Sequence, residues 1–311
     1  MGLTFERVAV VGATGPTGQE IAGWFRQRGT AVRVVSRSVE SLARRFPDPA
    51  IERHPADARD PTALLGAIEG CDLVVNCIGL PAEQMADHPR IASNLAEAVA
   101  STGARCLTIS SWWSYMPVRC LPVSEQSPRE AGPRWARHRR WAEDILGEAG
   151  AAVIQLPDFF GPSVRDSILQ RPLRQAVAGR AMSWVGDAGV ERDYIYVPDA
   201  MRLAGEIAHH GEAYGERWLI PGSGPISGRG IAELASGILG RRVRIRAAGP
   251  MLLRLVSLFD ADLRAFMPLV PEYVRPVRYE GARLQALLGP RPRTPYEIAL
   301  RLTLQSIAEG G

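Results

Sequence analysis

The chain has 311 residues, 46% of them apolar, and a formal net charge of +4, enough to bury a sizeable core in one or two domains. No run reaches the roughly eighteen apolar residues of a membrane-spanning helix, and Met1 leads into a strand pattern without a basic-then-apolar leader, so the cytoplasm is the expected location and no membrane partner is expected. All 37 basic residues are arginine, spread along the chain without an RNA- or DNA-binding motif, which argues against nucleic acid; Cys71, Cys77, Cys106 and Cys120 fall in no metal-ligand spacing, which favours reduced, buried thiols over zinc or disulfides.

From Arg7 to about Pro157 short β-rich runs alternate with helical patterns: RVAVVG, AVRVVS, DLVVNCIG, CLTISS and AAVIQLP. Parallel strands need crossover connections, so this alternation predicts an α/β fold, a Rossmann-type doubly wound parallel sheet with helices on both faces. The strand runs are continuously apolar, as central strands buried on both faces should be. The expected division is a dinucleotide-binding domain over residues 1–160 and a smaller mixed α/β substrate lobe over 161–311, with chain crossings between them. No internal repeat or low-complexity tail is present.

The first strand ends in GATGPTG, with Gly12, Thr14, Gly15, Pro16, Thr17 and Gly18 opening a helix. Glycines there let the backbone approach a pyrophosphate, and the helix N terminus offers it free N–H groups and a positive dipole end. Strand, turn, helix and second strand follow in the right order, so a dinucleotide site is expected. The second strand ends in VVSRS, where an NAD-preferring site would place an acid. Ser36 and Arg37 suit a 2′-phosphate instead, since a guanidinium forks a phosphate, which points to NADP(H). The other reading of Arg37 is a solvated surface arginine.

These segments resemble the extended and atypical short-chain dehydrogenase/reductases, the NAD(P)-dependent epimerase/dehydratase-like group, over nearly the whole length. ADARD, with Asp57, resembles that group's adenine-side acid, and NCIG, with Cys77, Ile78 and Gly79, its contact with the cofactor ribose. LTISS is similar to its fifth strand, LPDFFGP to the strand end carrying the nicotinamide-side proline, here Pro157, and RDYIYVPDA to a signature of its substrate lobe. LLGPRPRTPYEIALRLTL resembles its C-terminal helix pair.

The usual active site of the group has a Ser or Thr after the fifth strand and a Tyr-xxx-Lys pair on the next helix. Aligning on Glu143 puts Trp135 at the tyrosine position and Arg139 at the lysine position. Trp112 falls at the serine position, one residue after Ser111. An indole N–H cannot act as an acid at working pH, and arginine, with a pKa above about 12, cannot exchange its proton. With no lysine in the chain, no shift of alignment restores the relay. Trp135, Arg139, Ala142 and Leu146 share one helical face, which must pack on the sheet, so a cofactor-contacting Arg139 is favoured over a solvated one.

Substitute acids are sought in Tyr194, Asp158, Ser111 and Tyr115; Tyr115 matches a packing tyrosine of the group, and His138 is expected to face away from the crevice. Trp112, Trp113, Trp135 and Phe159 suit a flat or apolar substrate. GPMLLRLVSLFDADLRAFMPLVPEY is read most simply as core packing, then as a lid over an apolar substrate, and last as a membrane-surface helix, given Asp260 and Asp262.

Three functions follow: an NADP(H)-dependent oxidoreductase acting on a small, apolar or conjugated substrate with a non-standard proton donor, a non-redox isomerase, cyclase or lyase, and a catalytically silent NADP(H)-sensing regulator. A small-molecule substrate is the expected partner, and a homodimer stays open.

Overall fold

The computed structural model describes residues 2–130 and 132–310. The apolar runs become β1 (Arg7–Val11), β2 (Ala31–Ser36), β3 (Glu52–Pro55), β4 (Leu73–Asn76), β5 (Arg105–Ser111) and β6 (Ala152–Leu156). Shorter strands follow: β7 (Asp158–Phe160), β8 (Met182–Val185), β9 (Glu191–Tyr196), β10 (Arg217–Leu219), β11 (Pro225–Ser227) and β12 (Ile245–Ala248). Seven of them form one parallel sheet in the order β10-β6-β5-β4-β1-β2-β3. The order reverses beside β1, and an open α/β sheet binds its ligand at such a switch point, outside the strands' carboxyl ends.

Side chains alternate between the two faces of this sheet. Val8, Val10, Val32, Val34, Leu73 and Val75 enter one core, while Ala9, Val11, Val35, Val74 and Cys106 enter the other. The crossover helices are α1 (Pro16–Gln27), α2 (Val39–Arg45), α3 (Pro61–Ile68), α4 (His88–Thr102) and α5 (Arg134–Glu148). Leu64 and Ile68 of α3, Leu95 of α4 and Leu146 of α5 seal the second core, and Ile21 and Phe25 of α1 enter the first.

Beyond residue 160 come α6 (Gln170–Val177), α7 (Val197–Ala208) and α8 (Gly228–Leu239). Helix α7 returns to the first core beside α1. Gly205 allows this, because a Cβ there would lie 2.5 Å from the Trp24 ring. β10 then joins the large sheet, with Arg217 opposite Val153, so the chain crosses the expected boundary near residue 160 and returns. The smaller lobe carries the sheet β11-β9-β7 and the pair β12-β8.

The chain continues through α9 (Pro250–Val256), α10 (Ala261–Phe266), α11 (Val270–Tyr273), α12 (Ala282–Leu288) and α13 (Tyr296–Ala308). Here the reading of residues 250–266 as core is corrected. Leu253 is buried and Phe266 packs on Tyr273, but Met251, Leu252, Leu255, Val256, Leu258 and Phe259 are exposed. The seven-residue α9 is too short to bury more than a narrow face, and no other described element covers the rest.

Candidate active site

The glycine turn divides its work among three residues. Gly12 has φ 79°, and a Cβ there would lie 2.9 Å from the backbone of Cys77 and Ile78, so only glycine lets the turn close against the end of β4. A Cβ on Gly18 would lie 2.6 Å from Ala13 Cα, which is the close packing of α1 on β1. Gly15 is the N-cap of α1, where no side chain caps the helix, and a Cβ there would meet only Gly12 O, at 3.4 Å. The N-terminal amides beyond Gly15 and Pro16 are therefore left for an external anion.

Around this turn, the Thr14 and Ser36 hydroxyls lie 3.2 Å apart. Arg37 is exposed at the end of β2 with no hydrogen bond or ion pair to a described residue. Asp57, past β3, accepts the Arg59 amide at 3.0 Å. Asn76 donates to Thr108 Oγ1 at 3.0 Å and accepts the Ile78 amide at 3.2 Å, fixing the NCIG turn. Gly79 lies exposed just beyond it. Burial pushes the Cys77 thiol up to about 12, so this cysteine is a packing group and no nucleophile.

Helix α5 aims Arg139 at the same turn. Its Nη1 donates to the Ile78 carbonyl at 3.5 Å and lies 3.4 Å from His88 Nε2. Burial and the neighbouring guanidinium pull His88 down to about 2, so its ring is neutral. Arg139 has no ion-pair partner among the described residues, and burial disfavours its charge. One turn earlier, Trp135 is half-buried and stacked on Trp113, with centroids 6.2 Å apart and planes 20° from parallel. Trp135 and Arg139 thus share the face of the helix turned toward Trp113 and the turn after β4.

From the tryptophan pair a hydrogen-bonded chain leads inward. Trp113 Nε1 donates to Tyr273 Oη at 3.0 Å, and that hydroxyl donates to Asp158 Oδ1 at 2.8 Å. Arg192 Nη2 reaches Asp158 Oδ2 at 3.4 Å, while its Nη1 donates to the carbonyls of Glu272 and Arg275. The Arg192 guanidinium also sits over the rings of Trp112 and Tyr273. Burial raises the proton affinity of Asp158, against the opposing pull of Arg192 and the hydroxyl of Tyr273.

The tyrosine candidates are more deeply buried. The Asp158 carboxyl keeps 11% of its side-chain surface exposed, whereas Tyr194 is 2% and Tyr115 1% exposed. Tyr194 pairs with Asp158 across β7 and β9, and its ring packs in the core of the smaller lobe. Tyr115 donates to Gln155, which in turn donates to Ser114 and Glu143; Ser110 and Arg129 complete this buried network around Glu143. Tyr115 thereby anchors the loop after β5. Ser111 caps the turn that follows β5 by accepting the Trp113 amide. Trp112 is fully buried and supports the site from beneath, and Phe159 is half-buried against the sheet core. Pro157 leads directly into Asp158, and His138 binds Arg134 on the outer side of α5. Sequence reasoning missed His88 and Tyr273. The first opens α4 and the second sits in a short helix of the smaller lobe, and no motif marked either.

Comparison with known proteins agrees with this fold. The model of the NAD dependent epimerase/dehydratase family matches residues 8–220. No curated protein matches the chain. Among solved structures, an epimerase of Methanothermobacter thermautotrophicus superposes with a TM-score of 0.81 at 17% identity, covering 98% of this chain and 93% of that one. UDP-glucuronic acid 4-epimerase of Bacillus cereus, in complex with UDP-glucuronic acid and NAD, gives 0.80 at 15% identity over 98% and 100% of the two chains. A dTDP-glucose 4,6-dehydratase of Streptomyces venezuelae with NAD bound gives 0.77 at 18%, over 97% of each. At these identities the likeness is one of fold, but the family match spans more than half of the chain, which therefore belongs to the NAD dependent epimerase/dehydratase family.

Proposed function

We propose that this chain is an NADP(H)-dependent oxidoreductase of its family, acting on a small apolar or conjugated substrate, with Asp158 in place of the usual tyrosine as proton donor. The residues present fit the dinucleotide: the end of α1 is uncapped, the Gly15 side of the turn is open, and the Thr14 and Ser36 hydroxyls flank it. The observation that carries the NADP(H) reading is Arg37, exposed at the end of β2 and free of any described partner, as a 2′-phosphate ligand should be.

When bound, the nicotinamide would supply or accept a hydride. The protein's part is to hold and to protonate. The amides at the start of α1 and the NCIG turn position the cofactor, and Arg139 adds a fixed charge at the Ile78 carbonyl without exchanging a proton. Asp158 is partly accessible, and burial raises its proton affinity, so it can hold a proton on its carboxyl and give it up at the crevice. The Trp113–Trp135 pair offers a flat apolar wall. Both oxygens of Asp158 are already engaged by Tyr273 and Arg192, so its proton is released less readily than a free acid's, which favours conjugated or cationic acceptors over plain carbonyls.

The test is a titration of the unmutated protein and of Arg37→Ala with NADPH and NADH. We expect NADPH to bind more tightly, and Arg37→Ala to lose about ten- to a hundredfold in NADPH affinity, some 1.5–3 kcal/mol, with NADH unchanged. Equal affinities in the unmutated protein would refute the NADP(H) assignment. A second reading has its own support: epimerisation and dehydration, the reactions that name the family, leave no net oxidation of the substrate. Following NADPH consumption and product together over a panel of ketones, enones and iminium ions separates the two, since product without NADPH loss selects the second.

A further inference from the structure

The exposed segment after β12 has a chemistry that the catalytic site does not use. Met251 and Phe259 are each 88% exposed, and Leu252, Leu255, Val256 and Leu258 lie between them in the sequence. Isolated surface apolar residues need no explanation, but six large ones within nine residues form a patch. Such a patch sits in a basic setting: residues 241–264 carry six arginines against two aspartates, which equals the formal charge of the entire chain. Of these arginines, Arg246 and Arg254 are exposed and have no ion-pair partner among the described residues.

We infer that this face docks the protein peripherally on an anionic lipid surface, with α9 lying in the headgroup region. No described helix is long and apolar enough to cross a membrane, so the contact is at the interface. Three observations favour lipid over the alternatives. A second copy using the same face would bring this basic segment, with the unpaired Arg246 and Arg254, against its like, since a two-fold interface pairs a patch with itself. A protein partner would need a fitted pocket for Met251 and Phe259, which project almost free of their neighbours, whereas a fluid headgroup layer accommodates projecting side chains without one. Arg254 lies within the apolar run and Arg246 just before it, both exposed, and long basic side chains of this kind can reach lipid phosphates while their stems lie along the apolar layer. Leu253 on the opposite side of α9 is buried and ties the helix to the smaller lobe.

The experiment is co-sedimentation of the full chain with phosphatidylcholine vesicles, with and without phosphatidylserine, at low and high salt. We expect binding to the anionic vesicles that weakens as salt shortens the Debye length from about 10 Å to about 3 Å. Phe259→Glu should abolish it, and the pair Arg246→Glu and Arg254→Glu should lower it at least tenfold, because each basic residue near such a surface contributes about fivefold. These side chains are exposed, so thermal melts of the variants should match the parent. Binding that is absent, or equal on neutral and anionic vesicles, overturns the inference. So does a concentration-dependent dimer that Phe259→Glu dissolves, which would give the face to a second copy.

Discussion

At the β1–α1 turn the groups facing the cofactor side are backbone amides, glycines and the hydroxyls of Thr14 and Ser36, all within the first 37 residues. Around α5 the comparable groups are side chains drawn from far apart: Trp113 to Tyr273 spans 160 positions and Tyr273 to Asp158 spans 115. The first region tolerates no Cβ at Gly12 or Gly18, so its sequence is dictated by backbone geometry. The second depends on hydroxyl, carboxyl and indole groups that packing brings together, so its residues are free to change with the chemistry. One fold can thus keep its cofactor end while exchanging its catalytic residues.

The largest expected effect separates the two regions by activity. Asp158→Asn keeps an oxygen to accept the Tyr273 hydroxyl but removes the exchangeable proton, and general acid help is worth about a hundred- to ten-thousandfold. We expect turnover to fall within that range while cofactor affinity stays constant. The pH profile adds a sign. Burial raises the Asp158 pKa, and an acid must be protonated to act, so turnover of the parent should fall as pH rises through that raised pKa. The limb should vanish in Asp158→Asn. A variant with the parent's rate and profile would remove Asp158 from the reaction and leave the proton donor to be sought elsewhere.

The converse effect belongs to the turn. Gly18→Ala sets a Cβ 2.6 Å from Ala13 Cα and Gly12 O, both backbone atoms that cannot swing aside. Overpacking of this kind costs typically 1–3 kcal/mol, and here it also displaces the start of α1. Denaturant melts and a cofactor titration should therefore change together, whereas Asp158→Asn, which leaves the buried Arg192 without its carboxylate, should lower stability and leave cofactor affinity in place. Gly15→Ala is the control, because its Cβ has space in the protein alone. Loss of cofactor affinity without loss of stability in that variant would locate the ligand on the open side of the turn.

This contrast also explains what the sequence made legible. The parallel sheet and the glycine turn rest on local order and spacing, and both could be read directly. Tyr194 was singled out because its segment resembles a family signature; its ring is buried in the smaller lobe's core beside Arg192, and burial raises its pKa. Tyr273 lies between Glu272 and Val274 with nothing local to distinguish it, and its role as partner of Asp158 exists only once the smaller lobe folds back on β7. Residues 250–266 were misread for a related reason. Apolar composition records what a face can bury, while the chain's other elements decide whether anything covers it.

Arg139 lies where the two regions meet, and it gives the smallest but most discriminating expectation. Its guanidinium, lodged between α4 and the turn after β4, has a neutral His88 and a carbonyl as neighbours and no ion-pair partner among the described residues, and burial outweighs the favourable pull of the Glu143 carboxylate one turn on. A charge held this way is a liability to the folded protein alone, and replacing buried ions with apolar groups of similar volume is often neutral or stabilising. Arg139→Met should therefore leave the cofactor-free protein as stable as the parent, or about 1 kcal/mol more so. The same change removes the donor to the Ile78 carbonyl in the turn proposed to hold the cofactor, and on that proposal cofactor affinity should fall by about tenfold, since a bond from a charged group is worth about 1.5–3 kcal/mol. Arg139 exchanges no proton, so the pH limb assigned to Asp158 should persist in the variant. A loss of stability with unchanged cofactor affinity would show instead that Arg139 is a structural bolt between α5 and the turn, and would return it to the packing half of the molecule.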